Sequence, residues 1–412
     1  MGELALKKIQ GGLETVRGTA VVATRNIYGK MTITRLQPRR FANEDRGVFT
    51  KYFRANPKLI DAGFKLESDV TFEDLPYFLE TVIQGGISPT GSSAQGFIWT
   101  YNPDMTSDLL KSRTYYAGDD TVQWRGAFGV SDKLDITIGL EDAITFELEG
   151  FVQDWVPVTS GFLTTGFSAP GFQNLSDRTV ESVMGYQTKL FVDPPSNPVG
   201  TTQRSGKFIS AKAGVHLNNK KKAFGDNFNY MLQKLGRGEK DVECEFVFEG
   251  LNQQEFADHF NNTEAIVRIQ MIGTPIVGST FGTTNGAITT GAVFNGPIVT
   301  NALTSAIAGG QAISIGGQSF TVAPAGAAAS ATSVPIIPQL VQTPANIPTA
   351  TTIMACKTVN VDLWGYWDTF VPGSRETNTT WGMKLVGVYD AGVGFDHRIT
   401  VVNQNNLAAG IT

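Results

Sequence analysis

Two runs of this chain alternate apolar with mostly acidic residues, and that alternation constrains the fold more than any other feature. In FKLESDVTFE, Phe64, Leu66, Val70 and Phe72 fall on one side and Lys65, Glu67, Asp69, Thr71 and Glu73 on the other. In DVECEFVFE, Val242, Cys244, Phe246 and Phe248 alternate with Asp241, Glu243, Glu245, Val247 and Glu249. Successive side chains of a strand point to opposite faces, so each run predicts a strand with one face in a core and one in water. Each then enters a short helical pattern, DLPYFLETVIQGG with Gly85 as a stop and LNQQEFADHFNN ending near Asn261.

The runs belong to a wider repeat. GKMTIT from Gly29 returns as GKFISA from Gly206, 177 positions on, and FEDL from Phe72 returns as FEGL from Phe248, 176 on. FELEGFVQDWVP, Phe146 to Pro157, is echoed by VDLWGYWDTFVP, Val361 to Pro372, at 215, and GYQTKLFV from Gly185 by GFDHRITV from Gly394 at 209. Four motifs in one order predict two fused copies, the second enlarged by about 39 residues between Leu251 and Leu363. From Ile269 to Cys356, 88 residues hold no Asp, Glu, Lys, Arg or His. Within them QAISIGGQSFTV alternates, turns at Gly316-Gly317 and alternates again, a hairpin pattern that favours a small β module over a flexible linker.

The three prolines of DPPSNPVG, Asp193 to Gly200, place the boundary between the copies. The expected organisation is an N-terminal arm (1–17), a first domain (18–195), a second domain in two pieces (196–273 and 353–403), the uncharged module (274–352) and a C-terminal tail (404–412). Further strands are expected at TAVVATRNI, KMTITRL, GFIWTY, DITIGL, AITFELEGF, KFISAKAGVHL, AIVRIQMI, TVNVDLWGYW and WGMKLVGVYD. Long polar loops are expected over 38–63 and 218–241. The fold class is mainly β: two tandem antiparallel domains, each with one short helix.

A net charge of −5 lacks the basic excess of a nucleic-acid clamp. Cys244 and Cys356 make no disulfide framework and read as small buried hydrophobes in a reducing compartment. The opening MGELALKKIQGG has no apolar stretch behind its lysines, so no secretory signal is expected, and Leu6 stands where myristoylation wants Ser or Thr. No apolar run reaches the length of a membrane helix.

Chemical motifs are absent. His216, His259 and His397 have no metal-ligand spacing, and there is no nucleophile elbow, phosphate loop or calcium loop. Glu147 and Glu149 could form a glycosidase pair, but acids two apart recur as Glu67 with Asp69 and Glu243 with Glu245, the pattern of a solvated strand face. Trp364, Tyr366, Trp367, Phe370 and Trp381 could stack sugars; their counterparts Phe151 and Trp155 favour a core or subunit contact. No enzyme, metal or cofactor is expected.

GTAVVATRNI, FEDLPYFLETVIQGG, FELEGF and the uncharged insert together resemble the tail tube (major tail) proteins of long-tailed bacteriophages with non-contractile tails, over Gly18 to Val402. The resemblance implies tail-tube-type β-sandwich domains, six to a ring, whose inner sheets close a wide barrel, with rings stacked into the virion's tail. Two fused domains then imply three chains per ring in pseudo-sixfold symmetry. It implies a lumen lined by Glu67, Asp69, Glu147, Glu149, Glu243 and Glu245, through which DNA passes without specific binding. It further implies ring-to-ring loops carrying Arg39, Arg40, Lys220, Lys221 and Lys222, an outward-standing insert, assembly in the bacterial host's cytoplasm, and tape measure, tip and terminator proteins as partners. A surface adhesin or other virion β-protein using the insert as its binding module is the alternative, and a carbohydrate-active enzyme is a third.

Overall fold

The structure is a computed structural model describing residues 7–103, 110–119, 122–158, 171–204, 208–224, 234–249, 253–288, 296–338, 346–375 and 378–405. Among the described residues strands take up 55% and helices 5%, so the fold is mainly β, built on a large antiparallel sheet.

The chain begins with β1 (Lys8–Leu13), β2 (Arg25–Asn26), β3 (Lys30–Leu36), β4 (Arg39–Asn43), β5 (Tyr52–Pro57) and β6 (Asp61–Asp69). Helix α1 (Leu75–Val82) leads to β7 (Thr90–Ser92), β8 (Gly96–Tyr101), β9 (Arg113–Gly118), β10 (Gln123–Gly139), β11 (Thr145–Phe151) and β12 (Trp155–Pro157). A second series follows: β13 (Thr188–Asp193), β14 (Gln203–Arg204), β15 (Phe208–His216), β16 (Lys220–Lys222), β17 (Lys234–Gly236) and β18 (Asp241–Glu249). Helix α2 (Gln253–Phe260) and β19 (Glu264–Pro275) come next. Five short strands intervene: β20 (Gly282–Thr283), β21 (Ile298–Val299), β22 (Ala312–Ile315), β23 (Gln318–Thr321) and β24 (Ser333–Val334). The series closes with β25 (Thr352–Arg375), β26 (Asn378–Gly387) and β27 (His397–Asn403).

Hydrogen-bonded neighbours in the two series correspond. β1 lies between β2 and β9 as β13 lies between β14 and β19. The order β3-β6-β11-β10 is matched by β15-β18-β26-β25. β12 pairs with β10 as β27 pairs with β25, and hairpin β4–β5 has its counterpart in β16–β17. β10 then pairs with β15, joining both series into one sheet ordered β3-β6-β11-β10-β15-β18-β26-β25.

β10 and β25 each pass between two layers. The start of β10 pairs with β9 and β12, and residues 358–363 of β25 pair with both β19 and β27. The strand β8 crosses from the first series to pair with β27. Phe64, Leu66, Cys244 and Phe246 of the eight-stranded sheet share one apolar core with Val267, Val361 and Ile399 of the other layer. The alternation seen in the sequence thus does its expected work, because a period of two puts every second residue into that core.

The uncharged segment has a core of its own, including Phe281, Ile313, Ile315, Phe320 and Ile353. β22 and β23 form the hairpin expected from the sequence, with Gly316 and Gly317 at φ 59° and 79°. A left-handed pair suits glycine and matches the right-handed twist of the flanking strands.

Several expectations differ from what is observed. Of TAVVATRNI only Arg25–Asn26 is strand. The loops at 38–63 and 218–241 carry the hairpins β4–β5 and β16–β17; part of the latter, 225–233, lies outside the described residues. Residues 8–13, placed in an N-terminal arm, form β1; residues 1–6 of that arm and 406–412 of the tail lie outside the described residues. β13, before the expected boundary at 195, holds the place in the order that β1 holds.

The FELEGF and VDLWGYW echo also misaligns, because it equates β11 with β25, whereas pairing equates β10 with β25. A shared local need explains the likeness. A Cβ on Gly150 would lie 2.4 Å from the Val130 carbonyl oxygen, and one on Gly365 would lie 1.9 Å from that of Val386. Both strands need glycine where a neighbour crosses closely. Gly365→Ala should therefore cost roughly 1–3 kcal/mol, read as a fall in the urea midpoint. Gly139→Ala, with nothing within 4 Å of the added carbon, should leave that midpoint unchanged or slightly higher.

Candidate functional site

The eight-stranded sheet turns its second face to solvent, and cross-strand register sets its side chains in rows. One row runs Lys30, Glu67, Glu147, Asp135, Gly214, Glu243. A second runs Thr32, Lys65, Glu149, Lys133, His216, Asp241. The third runs Asp69, Thr145, Thr137, Lys212, Glu245, Lys384. All six acids singled out from sequence, Glu67, Asp69, Glu147, Glu149, Glu243 and Glu245, meet on this one face.

The rows also correct the expectation of a continuous negative surface. Asp135 and Asp241 join the six acids, and five lysines, Lys30, Lys65, Lys133, Lys212 and Lys384, stand among them. Lys65 lies 3.1 Å from Glu67 and 2.9 Å from Glu147, and Lys384 lies 2.5 Å from Glu243. Asp135 gathers Lys133 at 3.0 Å, Lys212 at 3.2 Å and His216 at 2.9 Å. Lys65 shows in the sequence on the acidic side of its own strand, whereas Lys30, Lys133, Lys212 and Lys384 sit on strands adjoining an acidic one, and only register brings them opposite the acids. Lys65 with Glu67 and Lys133 with Asp135, each two apart on one strand, are the local signals.

Charge pairing tunes these groups. Bonds to Glu147 and Glu67 raise the Lys65 ammonium, and Lys65 in turn lowers Glu147. Burial pushes the Asp135 carboxyl up, but bonds from His216, Lys133 and Lys212 outweigh it and leave the group below its ordinary value. A glycosidase acid needs a raised carboxyl, so Glu147 is tuned in the wrong direction for that role. Among the described residues no cluster of His, Cys, Asp and Glu is arranged to hold a metal ion. No helix among them is long and apolar enough to cross a membrane.

Other singled-out residues are spread through the fold. Arg39 and Arg40 are exposed on β4, as Lys220 and Lys222 are on β16. Lys221 turns back to pair with Asp61, donates to the Ala62 carbonyl at 3.2 Å and stands 4.5 Å over the Phe151 ring. His259 Nδ1 meets the Trp367 carbonyl at 2.9 Å, and buried His397 bonds Asp396 at 2.8 Å. Trp364 and Trp367 are buried, and the Tyr366 hydroxyl donates to Glu264 at 2.8 Å. Cys244 and Cys356 are free and buried, with burial pushing the Cys356 thiol up to about 12.

The sheet ends in two unpaired edges. Among the described residues, β3 pairs only with β6, and residues 367–375 of β25 pair only with β26. At the equivalent part of β10 the matching edge is filled by β15. A comparison with protein-family models finds no match, and neither does a comparison with curated proteins.

Asp135 offers a direct test of the charged face. A carboxyl with a depressed folded pKa adds stability above its unfolded pKa, and that stability is lost as pH falls through the folded value. Asp135→Asn should lower stability at pH 7 by about 2 kcal/mol, and the variant should lose less than the parent between neutral pH and pH 3. Urea midpoints across that range check it.

Proposed function

We propose that the chain is a structural subunit of a tail tube of the kind made by long-tailed phages, closing into rings by pairing β25 of one chain with β3 of the next. The observation that carries this reading is the internal junction. β3 and β15 hold the same place in their series, as do β10 and β25, and β10 already pairs with β15. The free edge of β25 therefore wants what the next chain's β3 supplies. Pairing that repeats head to tail continues until a ring closes and no edge is left.

Strand geometry supports three chains. Eight strands each give 24, and strands about 4.8 Å apart tilted by about 40° put the barrel wall at a radius of roughly 24 Å. Two chains would give roughly 16 Å, which inward side chains would narrow to little more than a DNA duplex. Three leave room for DNA to move.

In this reading Glu67, Asp69, Glu147, Glu149, Glu243 and Glu245, with the lysines they hold, line the lumen. A lysine already paired offers phosphates little, because binding DNA would mean breaking its contact with a carboxylate, and the excess of acids repels the backbone. Hairpins β4–β5 and β16–β17 leave corresponding ends of β3 and β15, so Arg39, Arg40, Lys220 and Lys222 reach from one rim toward the next ring. The two strand series act as fused tube domains, and the insert, joined to the layer away from the charged face, stands outside. Tip, tape measure and terminator proteins complete the virion tail, and no catalysis or cofactor is involved.

Negative-stain microscopy of the purified protein should show hollow rings or tubes with three chains per ring. Beaded or open linear chains would overturn the proposal. Lysine at positions 67, 147, 243 and 245 should convert the tubes into DNA binders whose affinity falls steeply with salt, and should slow DNA ejection. Unchanged ejection would remove these residues from the lumen.

A further inference from the structure

We infer that an exposed aromatic cluster on α2, beside the free edge of β25, is half of an apolar core that the next chain's β3 completes. The inference rests on the ring reading above and names the surface that seals it. Helices α1 and α2 follow corresponding strands, yet they differ in cover. Every residue of α1 is buried. On α2, Phe256 is 41% exposed and Phe260 67%.

The internal junction shows what is missing. Phe78 of α1 packs 5.0 Å from Phe146, and both share a core with Ala211, Ala213 and Val215, the inward residues that β15 brings opposite Ile138, Ile136 and Leu134. On α2, the Phe256 ring lies 4.5 Å from that of Phe260, tilted, and meets Phe370 edge to face at 5.3 Å, while Phe370 stacks on Trp381 at 4.8 Å. Phe370 lies in the part of β25 that has no second neighbour. The aromatic cluster therefore stops where the equivalent core of the first series continues into β15.

The next chain's β3 has the side chains to continue it. Met31 and Ile33 face inward and are only half-buried. β6 and β18 are both nine residues long and lie 180 positions apart, and Lys30 opposes Glu67 as Ser210 opposes Val247. Carrying the β10–β15 register across by that offset sets Thr34 of the next chain opposite Val371 and Thr32 opposite Gly373. Ile33 then lies opposite Pro372, the residue that pairs with Trp381 of the cluster, with Met31 one inward position beyond it opposite Ser374 and the stem of Arg35 opposite Phe370.

Phe260→Asp, at a side chain already in water, should leave the monomer folded, with an unchanged circular dichroism spectrum and urea midpoint. It should raise the protein concentration needed for half-maximal ring formation at least tenfold, by mass photometry. Rings at the parental concentration would overturn the inference while leaving the tail-tube reading in place. A parent protein that forms no rings would overturn both. As a second measurement, Thr34→Cys with Val371→Cys in one chain should oxidise to covalent closed oligomers, since Cys244 and Cys356 are buried; oxidised monomers alone would also overturn the inference.

Discussion

The pairing of β10 with β15 is the contact on which the rest of the molecule depends. Seven consecutive residue pairs, from Lys133 with His216 to Gly139 with Ser210, satisfy backbone donors and acceptors that would otherwise end each series in an open edge. Because the pairing lies at the middle of the order, the unpaired edges move to β3 and β25, at opposite ends of one sheet. Those ends are blunted. β25 carries Pro372, which has no N–H to donate, and β3 begins with exposed Lys30. Indiscriminate strand addition is thereby discouraged, and a partner must offer side-chain complementarity as well as backbone.

The same junction decides the character of the charged face. Asp135 comes from β10, while Lys212 and His216 come from β15, so the contact between the two series is electrostatic on the solvent side and apolar on the core side. Charges on an open sheet would be worth little as isolated pairs. Here one well-covered carboxylate receives three donors, and the Lys65 ammonium bridges two carboxylates on adjacent strands. Eight of the thirteen carboxylates and ammonium groups on the face are held in ion pairs, which makes it a different surface from a bare acidic wall even though both have the same sign.

Much of this was legible in the sequence, and what was not has physical causes. The strands β6 and β18 announced themselves because a half-buried strand imposes a period of two, and both helices were marked by their stops. Alternation alone put each pair of acids on the solvent side of its own strand. Register could not be read that way, because it depends on which strands become neighbours, and so the lysines interleaved from β3, β10, β15 and β26 stayed invisible. The GKMTIT and GKFISA echo does mark corresponding strands, but its offset of 177 differs from the 180 that separates β6 from β18, and an odd offset would exchange the two faces. The FELEGF echo failed for a related reason: glycine at a close crossing is a local demand that several strands of one sheet can share.

The insert is less separable than its composition suggests. Its chain leaves β19 and returns into β25, and β22 pairs directly with residues 353–355 of β25. On the outer side of that layer, Asp362 is fully buried between Arg268, at 2.6 Å, and Arg398, at 2.7 Å. Segments of the insert close over neighbouring polar groups: Gln270 donates to the Gly310 carbonyl at 2.8 Å and accepts from Thr321 at 2.7 Å, while Lys189 reaches Thr321 at 3.3 Å. Burial lowers the pKa of that lysine. A buried polar group left without its partners is costly, so the insert acts as a lid on a polar layer as well as a projection from it. Its lack of charge fits the first role, because a segment that must lie against a buried ion pair is safest when it adds no charge of its own.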